Sequence, residues 1–439
     1  MLPFQQFTLS TPTKLIALTG LGLATALVAS CSSQPPIPQQ PTTRPLPPIV
    51  VVKPPVTRPT PPPVSLPTQK PYQSFTQWQA DFIERAAAKG YNRGDLQRLM
   101  ASADYNEQVL SSDKNQAEFV KMPWEYIDSA VSSGRVSGGK RNYAAQSDVL
   151  LAAENRYGVP ASIVTAIWGM ESSYGAGTGN SSLSSSLATL AYDGRRQGFA
   201  EDQLLALLSL VERGDIDWLQ LRGSWAGGMG HTQFIPKTWL DEAVDGDGDG
   251  RRNPWDSADA LTSTASYLAH AGWQRGLPTF YEVKLPANFD YRQVSQKKSV
   301  ATWQAQGVQF LDNSAPSNAM VELWLPAGKA GPAVLLTQNF DAIKVYNNSA
   351  NYAMAVSLLA RAIVGQPGLQ QSFPRYEQPL YTSQVAQLQQ RLTAQGYDTK
   401  GTDGVIGNNT KLAFQRWQAD HGQVPDGFIT QNSAASLLR

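Results

Sequence analysis

The 439-residue sequence has few of the residues from which several common functional sites are built. Its single cysteine, Cys31, excludes an intrachain disulfide and a zinc site made of thiolates. The three histidines are far apart in sequence, at His231, His270 and His421, so a histidine-cluster metal site is not expected. Charged residues make up only 16% of the chain, whereas the 41% of hydrophobic residues is enough to build cores. The length allows two or three domains.

Acidic residues are absent from the first part of the chain. Residues 1–71 contain five basic residues and no carboxylate, because the first acidic residue is Asp81. Residues 72–439 therefore hold 31 basic and 35 acidic residues. This mildly acidic body predicts that nucleic acid is not a partner.

An apolar segment without charge occupies residues 15–30 and ends at Cys31. It is shorter than the roughly 20 residues that span a bilayer. The sequence Val28-Ala29-Ser30-Cys31 resembles the lipobox of bacterial lipoprotein signals, which implies cleavage before Cys31 and lipidation of that residue. Ser32 follows, not the aspartate that retains such proteins at the inner membrane, so we expect anchoring at the periplasmic face of the outer membrane. An ordinary secretory signal cut nearby remains the alternative for residues 1–31.

Residues 32–71 are rich in proline. They hold half of the 30 prolines of the protein and no acidic residue. Proline removes backbone donors and favours polyproline II, so this segment is predicted to be a disordered tether. Fully extended, it would reach on the order of 120 Å.

The composition becomes typical of a globular protein from Tyr72 onwards. Apolar residues recur at helical spacing, as in Phe75, Trp78 and Phe82, through most of the region up to residue 372. Residues 281–285, 321–325 and 334–336 instead alternate or cluster like short strands. We therefore predict a mainly α domain with a small β insertion over residues 72–372.

The terminal block, residues 373–439, shows two turn-and-helix patterns. Residues 388–397 follow the pattern L-Q-x-x-L-x-x-x-G-Y, and residues 403–413 follow D-G-x-x-G-x-x-T-x-x-A. Together they resemble the type 1 peptidoglycan-binding domain. The resemblance implies a small three-helix domain that binds peptidoglycan. Composition and periodicity alone would indicate only a small helical bundle.

Glu171 lies on the apolar side of a predicted helix that begins at Pro160. Ile163, Ile167 and Trp168 share one face, and Glu171 continues that face at spacings of three and four. A carboxylate on an apolar face should have a raised pKa, which suits a general acid at neutral pH. A role in capping the helix end remains open on these grounds.

Three separate motifs occur in order around this residue. Residues 168–175 carry E-S-x-x-G, residues 227–236 carry G-x-M-G-x-x-Q-F-x-P, and residues 346–353 carry Y-N-x-S followed by Y-A. Together they resemble the lytic murein transglycosylases of the membrane-bound B type over about residues 75–370. The resemblance implies a lysozyme-like fold. It also implies cleavage of the peptidoglycan glycan between N-acetylmuramic acid and N-acetylglucosamine, with 1,6-anhydro ends.

The same resemblance assigns roles to individual residues. It implies that Glu171 is the catalytic acid and base and assigns no catalytic role to His231. It implies five substrate-binding residues: Ser224, Gln233, Tyr346, Asn347 and Tyr352. A mechanism with one carboxylate is chemically coherent, because the substrate's own N-acetyl group can stabilise the anomeric carbon. Asp193 and Glu201 are possible second carboxylates, although nothing in their spacing distinguishes them.

Residues 245–256 fit a twelve-residue EF-hand loop. Asp245, Asp247 and Asp249 fill positions 1, 3 and 5, with glycine at position 6. Arg251 falls at position 7, where such loops use a backbone carbonyl, and Asp256 at position 12. The sequence therefore predicts a structural Ca²⁺ site, and no organic cofactor is expected. A solvated turn without metal is the alternative.

Other functions fit the sequence less well than a transglycosylase does. A non-catalytic peptidoglycan-binding lipoprotein would account for Cys31, the tether and the terminal block, but not for Glu171 or the three motifs. A hydrolytic muramidase is barely separable from a transglycosylase by sequence. An acyl hydrolase that uses Ser224 is disfavoured, because residues 223–227 lack the G-x-S-x-G pattern.

Overall fold

The computed structural model describes residues 72–114, 121–311 and 315–439. The predicted signal, Cys31 and the predicted tether lie outside these residues. Within them, no helix is both long enough and apolar enough to cross a bilayer.

Helices dominate the first two hundred described residues. Two very short strands, β1 (Ser181–Ser182) and β2 (Arg222–Gly223), pair antiparallel between them. The helices are α1 (Phe75–Ala88), α2 (Arg93–Ala101), α3 (Glu107–Lys114), α4 (Pro123–Ala130), α5 (Ser133–Ala145), α6 (Ser147–Tyr157), α7 (Ala161–Ser172), α8 (Leu183–Asp193), α9 (Gln197–Glu212), α10 (Pro236–Glu242) and α11 (Ser257–His270).

Helix α7 lies at the centre of the largest apolar core. Nearly every residue of this helix is buried, including Val164, Ile167 and Trp168. The core is completed by residues from α6, from α11 and from two later helices, α13 (Gln338–Tyr346) and α14 (Ala350–Ile363). A helix that is apolar on all sides must be enclosed by others, which is what this packing achieves.

A second core joins the N-terminal helices to α8 and α9. Trp78 and Phe82 of α1 stack with their ring centroids 5.5 Å apart, and both are almost fully buried. The Nε1 of Trp78 donates a 3.0 Å hydrogen bond to Glu201 of α9. The helical spacing that predicts α1 thus also identifies the face that packs on α9.

The predicted β insertion is a five-stranded antiparallel sheet with strand order β4-β6-β7-β3-β5. Tyr281 pairs with Leu335, and Leu323 pairs with that same leucine from the other side. One face of the sheet packs on Trp303 of α12 (Val300–Ala305), and the other packs towards α13. The strands are β3 (Phe280–Lys284), β4 (Lys297–Ser299), β5 (Gln309–Phe310), β6 (Met320–Trp324) and β7 (Ala333–Leu336).

The terminal block has its own small core. Helices α15 (Thr382–Ala394), α16 (Asn408–Asp420) and α17 (Ala435–Leu438) surround Leu388 and Phe414, both fully buried. Gln389 fixes the turn between the first two helices, because its Nε2 donates to Asp403 Oδ1 and its Oε1 accepts from Gly404 N. The predicted mainly α fold with a small sheet and a terminal three-helix unit is confirmed.

The terminal block also packs against the preceding domain. The rings of Phe428 and Trp124 have centroids 6.5 Å apart. The backbone N–H of Lys329 donates to Asp426 Oδ2 at 2.9 Å, and Gln415 Nε2 donates to the carbonyl of Tyr291 at 3.1 Å. The terminal block is therefore held at a defined place on its neighbour.

Candidate active site

Glu171 occupies the last turn of α7. The helix ends directly after it, because Ser173 and Tyr174 both have left-handed backbone conformations, with φ of 51° and 64°. The hydroxyl of Ser172 donates to the carbonyl of His231 at 2.6 Å and accepts from Gly175 N at 2.8 Å. These bonds tie the end of the helix to the loop of the second motif.

The carboxylate of Glu171 meets the third motif through a single hydrogen bond. The phenol of Tyr352 on α14 donates to Glu171 Oε1 at 2.6 Å. Burial raises the pKa of the Glu171 carboxyl, and the bond from Tyr352 opposes part of that rise. The raised pKa agrees with the expectation for a carboxylate on an apolar helix face.

Tyr346 connects the third motif to the second. Its hydroxyl donates a short hydrogen bond to the carbonyl of Thr232. Its ring makes edge contacts with Phe234 and Tyr267, with centroids 5.1 and 5.8 Å away. Burial, and then the nearby charge of Glu171, raise the pKa of Tyr346, so the phenol stays neutral beside the carboxylate.

Ser224 and Gln233 lie side by side around Gly228. A Cβ at Gly228 would lie 2.8 Å from Gln233 Oε1 and 2.9 Å from Ser224 Oγ, so only glycine leaves both side chains in place. The Nε2 of Gln233 donates to the carbonyls of Thr178 and Gly230, at 3.0 and 2.7 Å. The glycines of the second motif therefore allow two predicted substrate-binding residues to converge.

His231 bridges α7 and the end of the acidic loop. Its Nδ1 accepts from Trp168 Nε1 at 3.0 Å, and its Nε2 lies 3.1 Å from the carbonyl of Trp255. These partners require a neutral ring with the proton on Nε2, and burial lowers the pKa of His231. Both ring nitrogens of His231 are thus engaged in tying α7 to the acidic loop.

Of the remaining candidates, one is exposed and two are engaged in ion pairs. Asn347 is exposed at the end of α13. Glu201 forms an ion pair with Arg85 at 2.8 Å, and Asp193 forms one with Arg195 at 2.8 Å. Neither of the two possible second carboxylates is therefore free to act as a nucleophile.

Three carboxylates cluster beside the acidic loop. One oxygen each from Asp245, Asp247 and Asp259 lies within 4.8 Å of the other two. Burial raises the pKa of Asp259 to about 6, although the N–H groups of Gly246 and Asn253 donate to it. Clustered carboxylate oxygens fit a hard divalent cation such as Ca²⁺.

The cluster differs from the ligand set predicted from the loop pattern. Asp249 and Asp256 are not part of it. Asp256 caps α11, because its Oδ1 accepts from Ala258 N at 2.7 Å and from Asp259 N at 3.3 Å. The Arg251 side chain is partly exposed, with Nη2 3.5 Å from Asp217 Oδ2, and the role of its backbone carbonyl stays a prediction. The carboxylate of the exit helix that joins the loop is Asp259, three residues further on.

Sequence reasoning missed two features of the site. Asp259 lies three residues beyond the end of the twelve-residue pattern. The sequence feature that could have indicated it is an acidic residue in the first turn of the exit helix. Tyr126 of α4 was also missed, and its pKa is raised by burial and then by the charge of Glu171. No motif in the sequence indicated this tyrosine, because it comes from a helix outside the three motifs.

The carboxylate of Glu171, with its raised pKa, suits a general acid in a lysozyme-like fold, and the family models identify the class of enzyme. The model described as "Transglycosylase SLT domain" matches residues 74–361, and the one described as "Putative peptidoglycan binding domain" matches residues 381–437. The chain belongs to the transglycosylase SLT domain family. It is a lytic transglycosylase that acts on peptidoglycan, as the motifs predicted.

Individual relatives support this assignment. Membrane-bound lytic murein transglycosylase B of Escherichia coli (strain K12) is 32% identical over 301 residues, which cover 64% of this chain and 81% of the relative. SltB3 of Pseudomonas aeruginosa, solved in complex with NAG-anhNAM-pentapeptide, is 42% identical with a TM-score of 0.80, covering 84% of this chain and 100% of that one. Escherichia coli Slt35, solved in complex with calcium, is 30% identical with a TM-score of 0.59, covering 65% and 92%.

Proposed function

We propose that this chain cleaves the bond between N-acetylmuramic acid and N-acetylglucosamine with Glu171 as its one catalytic carboxylate, leaving 1,6-anhydro ends. The observation that carries the proposal is the partly buried Glu171 side chain, whose pKa is raised by desolvation, with its hydrogen bond from Tyr352. Burial keeps the carboxyl protonated to higher pH than usual, as a general acid requires. The engagement of Asp193 and Glu201 in ion pairs favours a mechanism without a second carboxylate.

In the first step Glu171 donates its proton to the oxygen that leaves with N-acetylglucosamine. The bond between that oxygen and the anomeric carbon breaks, and the carbonyl oxygen of the muramic acid N-acetyl group bonds to the anomeric carbon in its place. Glu171 is then a carboxylate. Tyr352 stabilises this charge by its hydrogen bond, because a donor to the charged form favours that form.

In the second step Glu171 acts as a base. It takes the proton from the 6-hydroxyl of the same muramic acid, whose oxygen bonds to the anomeric carbon as the N-acetyl oxygen leaves. The carboxyl regains its proton and no water is consumed. A hydroxyl held in the same sugar has a high effective molarity, which lets it compete with water. The substrate-binding residues proposed for this position are Ser224, Gln233, Tyr346, Asn347 and Tyr352.

Mass spectrometry of digested peptidoglycan tests this proposal. Anhydro ends weigh one water less than reducing ends, so a single digest separates a transglycosylase from a muramidase. Fragments with anhydro ends are expected. Reducing ends as the main products would instead assign a hydrolytic muramidase.

We further propose that Ca²⁺ binds at the acidic loop. The cluster of Asp245, Asp247 and Asp259 supports this, as does the calcium complex of Slt35. The ion would hold α10 and α11 together and has no place in the proton transfers of Glu171. Isothermal titration of the chelated protein with CaCl₂ tests the proposal, and the absence of a binding signal would leave the loop as a metal-free turn.

We also propose that the chain is a lipoprotein of the periplasmic face of the outer membrane, attached through Cys31. The lipobox and Ser32 support this proposal. Metabolic labelling with a fatty acid, followed by membrane fractionation, tests it. Label should appear on the unmutated chain and be lost from Cys31→Ser. Unlabelled, soluble protein would instead indicate an ordinary secretory signal.

A further inference from the structure

A cavity lies between the first part of α5 and the residues that follow Glu171. It has a volume of about 470 Å³ and contains none of the proposed catalytic or substrate-binding residues. Helix α5 forms one wall, and the turn after α7 forms the other. Its lining includes Arg135, Gly138, Arg141, Asn142, Ser173 and Tyr174.

The Tyr174 side chain, which lines the cavity, is closely fitted against α5 and α7. A Cβ at Gly169 of α7 would lie 2.5 Å from Tyr174 Cζ, and one at Gly139 of α5 would lie 2.7 Å from the Tyr174 hydroxyl. That hydroxyl donates to the carbonyl of Arg135 at 2.7 Å. Tyr174 therefore packs directly on a glycine of each helix and fixes α5 beside the end of α7.

The charge of the cavity is positive. Its lining includes two arginines and no carboxylate. Arg135 uses Nη1 to donate to the carbonyl of Ser129 at 2.7 Å, and Nη2 of Arg141 lies 3.9 Å from where a Gly138 Cβ would be, next to the Tyr174 ring. Among the described residues, neither guanidinium has a carboxylate within ion-pair distance. Two lining arginines without a carboxylate partner favour a ligand that carries a carboxylate.

We propose that this cavity binds a carboxylate of the stem peptide of peptidoglycan, through Arg135 and Arg141. The sugar rings of the glycan are uncharged, and the lactyl carboxyl of muramic acid is consumed in the amide bond to the stem. The negative charge of the intact substrate therefore resides on its peptide. This inference rests on the proposed position of the scissile bond at Glu171.

The distances along the chain are compatible with such a contact. Ser173 is two residues after Glu171, so their Cα atoms are at most about 7.6 Å apart. An extended pentapeptide spans roughly 17 Å. A stem attached to a muramic acid at Glu171 is thus long enough to reach the cavity. Relatives of this chain bind such ligands, since SltB3 was solved with NAG-NAM-pentapeptide as well as with its anhydro form.

Kinetics on three substrates test the proposal. The first is glycan strands with their stems, the second the same strands stripped by an amidase, and the third intact strands whose carboxyl groups have been converted to amides. The amidated strands are needed because removal of the stems by the amidase leaves the lactyl carboxyl free, and this group is itself negatively charged. For the unmutated protein we expect the lowest KM on the first substrate.

Arg141→Gln and Arg135→Gln should each raise KM for the intact strands by roughly 3- to 10-fold, the range for a charge-assisted hydrogen bond that is partly exposed. KM for the amidated strands should change far less. Arg141→Lys should recover part of the affinity. Lys140→Gln is the matched control, because Lys140 is an exposed cation next to Arg141 that does not line the cavity, and its KM values should equal those of the unmutated protein.

Two results would overturn the proposal. One is an equal KM of the unmutated protein for intact and amidated strands. The other is a rise in KM by the same factor on all three substrates in the arginine variants. Failure of the proposed function gives a different result, since the unmutated protein would then release no anhydro products from any of the three.

Discussion

The phenol of Tyr352 donates a 2.6 Å hydrogen bond to the carboxylate of Glu171, although 181 residues separate them in sequence. The bond joins the end of α7 to the first turn of α14, and so joins the first and third motifs. It also acts on the pKa of Glu171 in the direction opposite to burial. Two predictions follow from this pair of opposing effects.

Glu171→Gln should lower kcat on glycan strands by at least about 100-fold, because the amide cannot transfer the catalytic proton. The fold should be retained. Because the folded-state pKa of Glu171 is raised above its ordinary value, the native carboxyl favours the protonated form. Its contribution to stability is complete below the unfolded pKa and is lost as pH rises through the folded pKa.

The variant should therefore resist urea better than the unmutated protein at pH 7 and equally well near pH 4. Urea unfolding at the two pH values, together with the assay, checks both parts. Appreciable turnover by a well-folded Glu171→Gln would contradict the assignment.

Tyr352→Phe removes the donor that lowers the pKa of Glu171 and leaves burial to raise it further. The general acid then stays protonated to higher pH, so the alkaline limb of the kcat/KM profile should move to higher pH. The rate at the optimum should fall by roughly tenfold, the value of one hydrogen bond to a charged group. A profile that keeps its alkaline limb in place would show that Tyr352 only packs against the site.

The sequence indicated the local elements well and the distant contacts only through family resemblance. The spacing of Trp78 and Phe82 predicted α1 and its buried face, and the alternation at residues 321–325 predicted β6. Both patterns depend on neighbouring residues. No local pattern places Tyr352 beside Glu171, because that contact depends on how α14 crosses α7.

In the acidic loop, too, the sequence predicted the ligands close together in the chain but not the one contributed by the next helix. Asp245 and Asp247 were predicted from the spacing of the loop itself and belong to the cluster. The twelve-residue pattern placed the last ligand at Asp256, whose side chain caps α11. Asp259 lies in the first turn of the exit helix, three residues after Asp256, where it accepts from loop N–H groups. Its 1% exposure could not be foreseen from a pattern that ends at Asp256.

Calcium should raise the melting temperature of the chelated protein. An ion that binds only the folded state stabilises it by about 2.7 kcal/mol when its concentration is 100 times Kd. Asp259→Asn should remove most of this effect, because it withdraws a carboxylate from the cluster. Asp256→Asn is the matched control, since asparagine caps a helix as well as aspartate does. Calorimetry of both variants, with CaCl₂ and with chelator, measures this rise in melting temperature. If only Asp256→Asn loses the rise, the ligands are those of the twelve-residue pattern and do not include Asp259.

The last prediction concerns the terminal block. A wall-binding module contributes local concentration, whereas catalysis stays with Glu171. In a chain that begins at Tyr72, deletion of residues 373–439 should weaken retention on insoluble sacculi while cleavage of short soluble glycans continues. The deletion also uncovers Trp124, which contacts Phe428 in the intact protein, so the melting temperature should fall.

Phe428→Ser separates these two effects. It removes the aromatic contact with Trp124 but leaves the module's own core around Phe414 in place. The variant should lose about 1–2 kcal/mol of stability, since this side chain is only partly buried, and should still bind sacculi. Co-sedimentation with sacculi and thermal melting are measured for all three chains. If the deleted chain sediments as well as the intact one, the block serves to stabilise the catalytic domain and does not bind the wall.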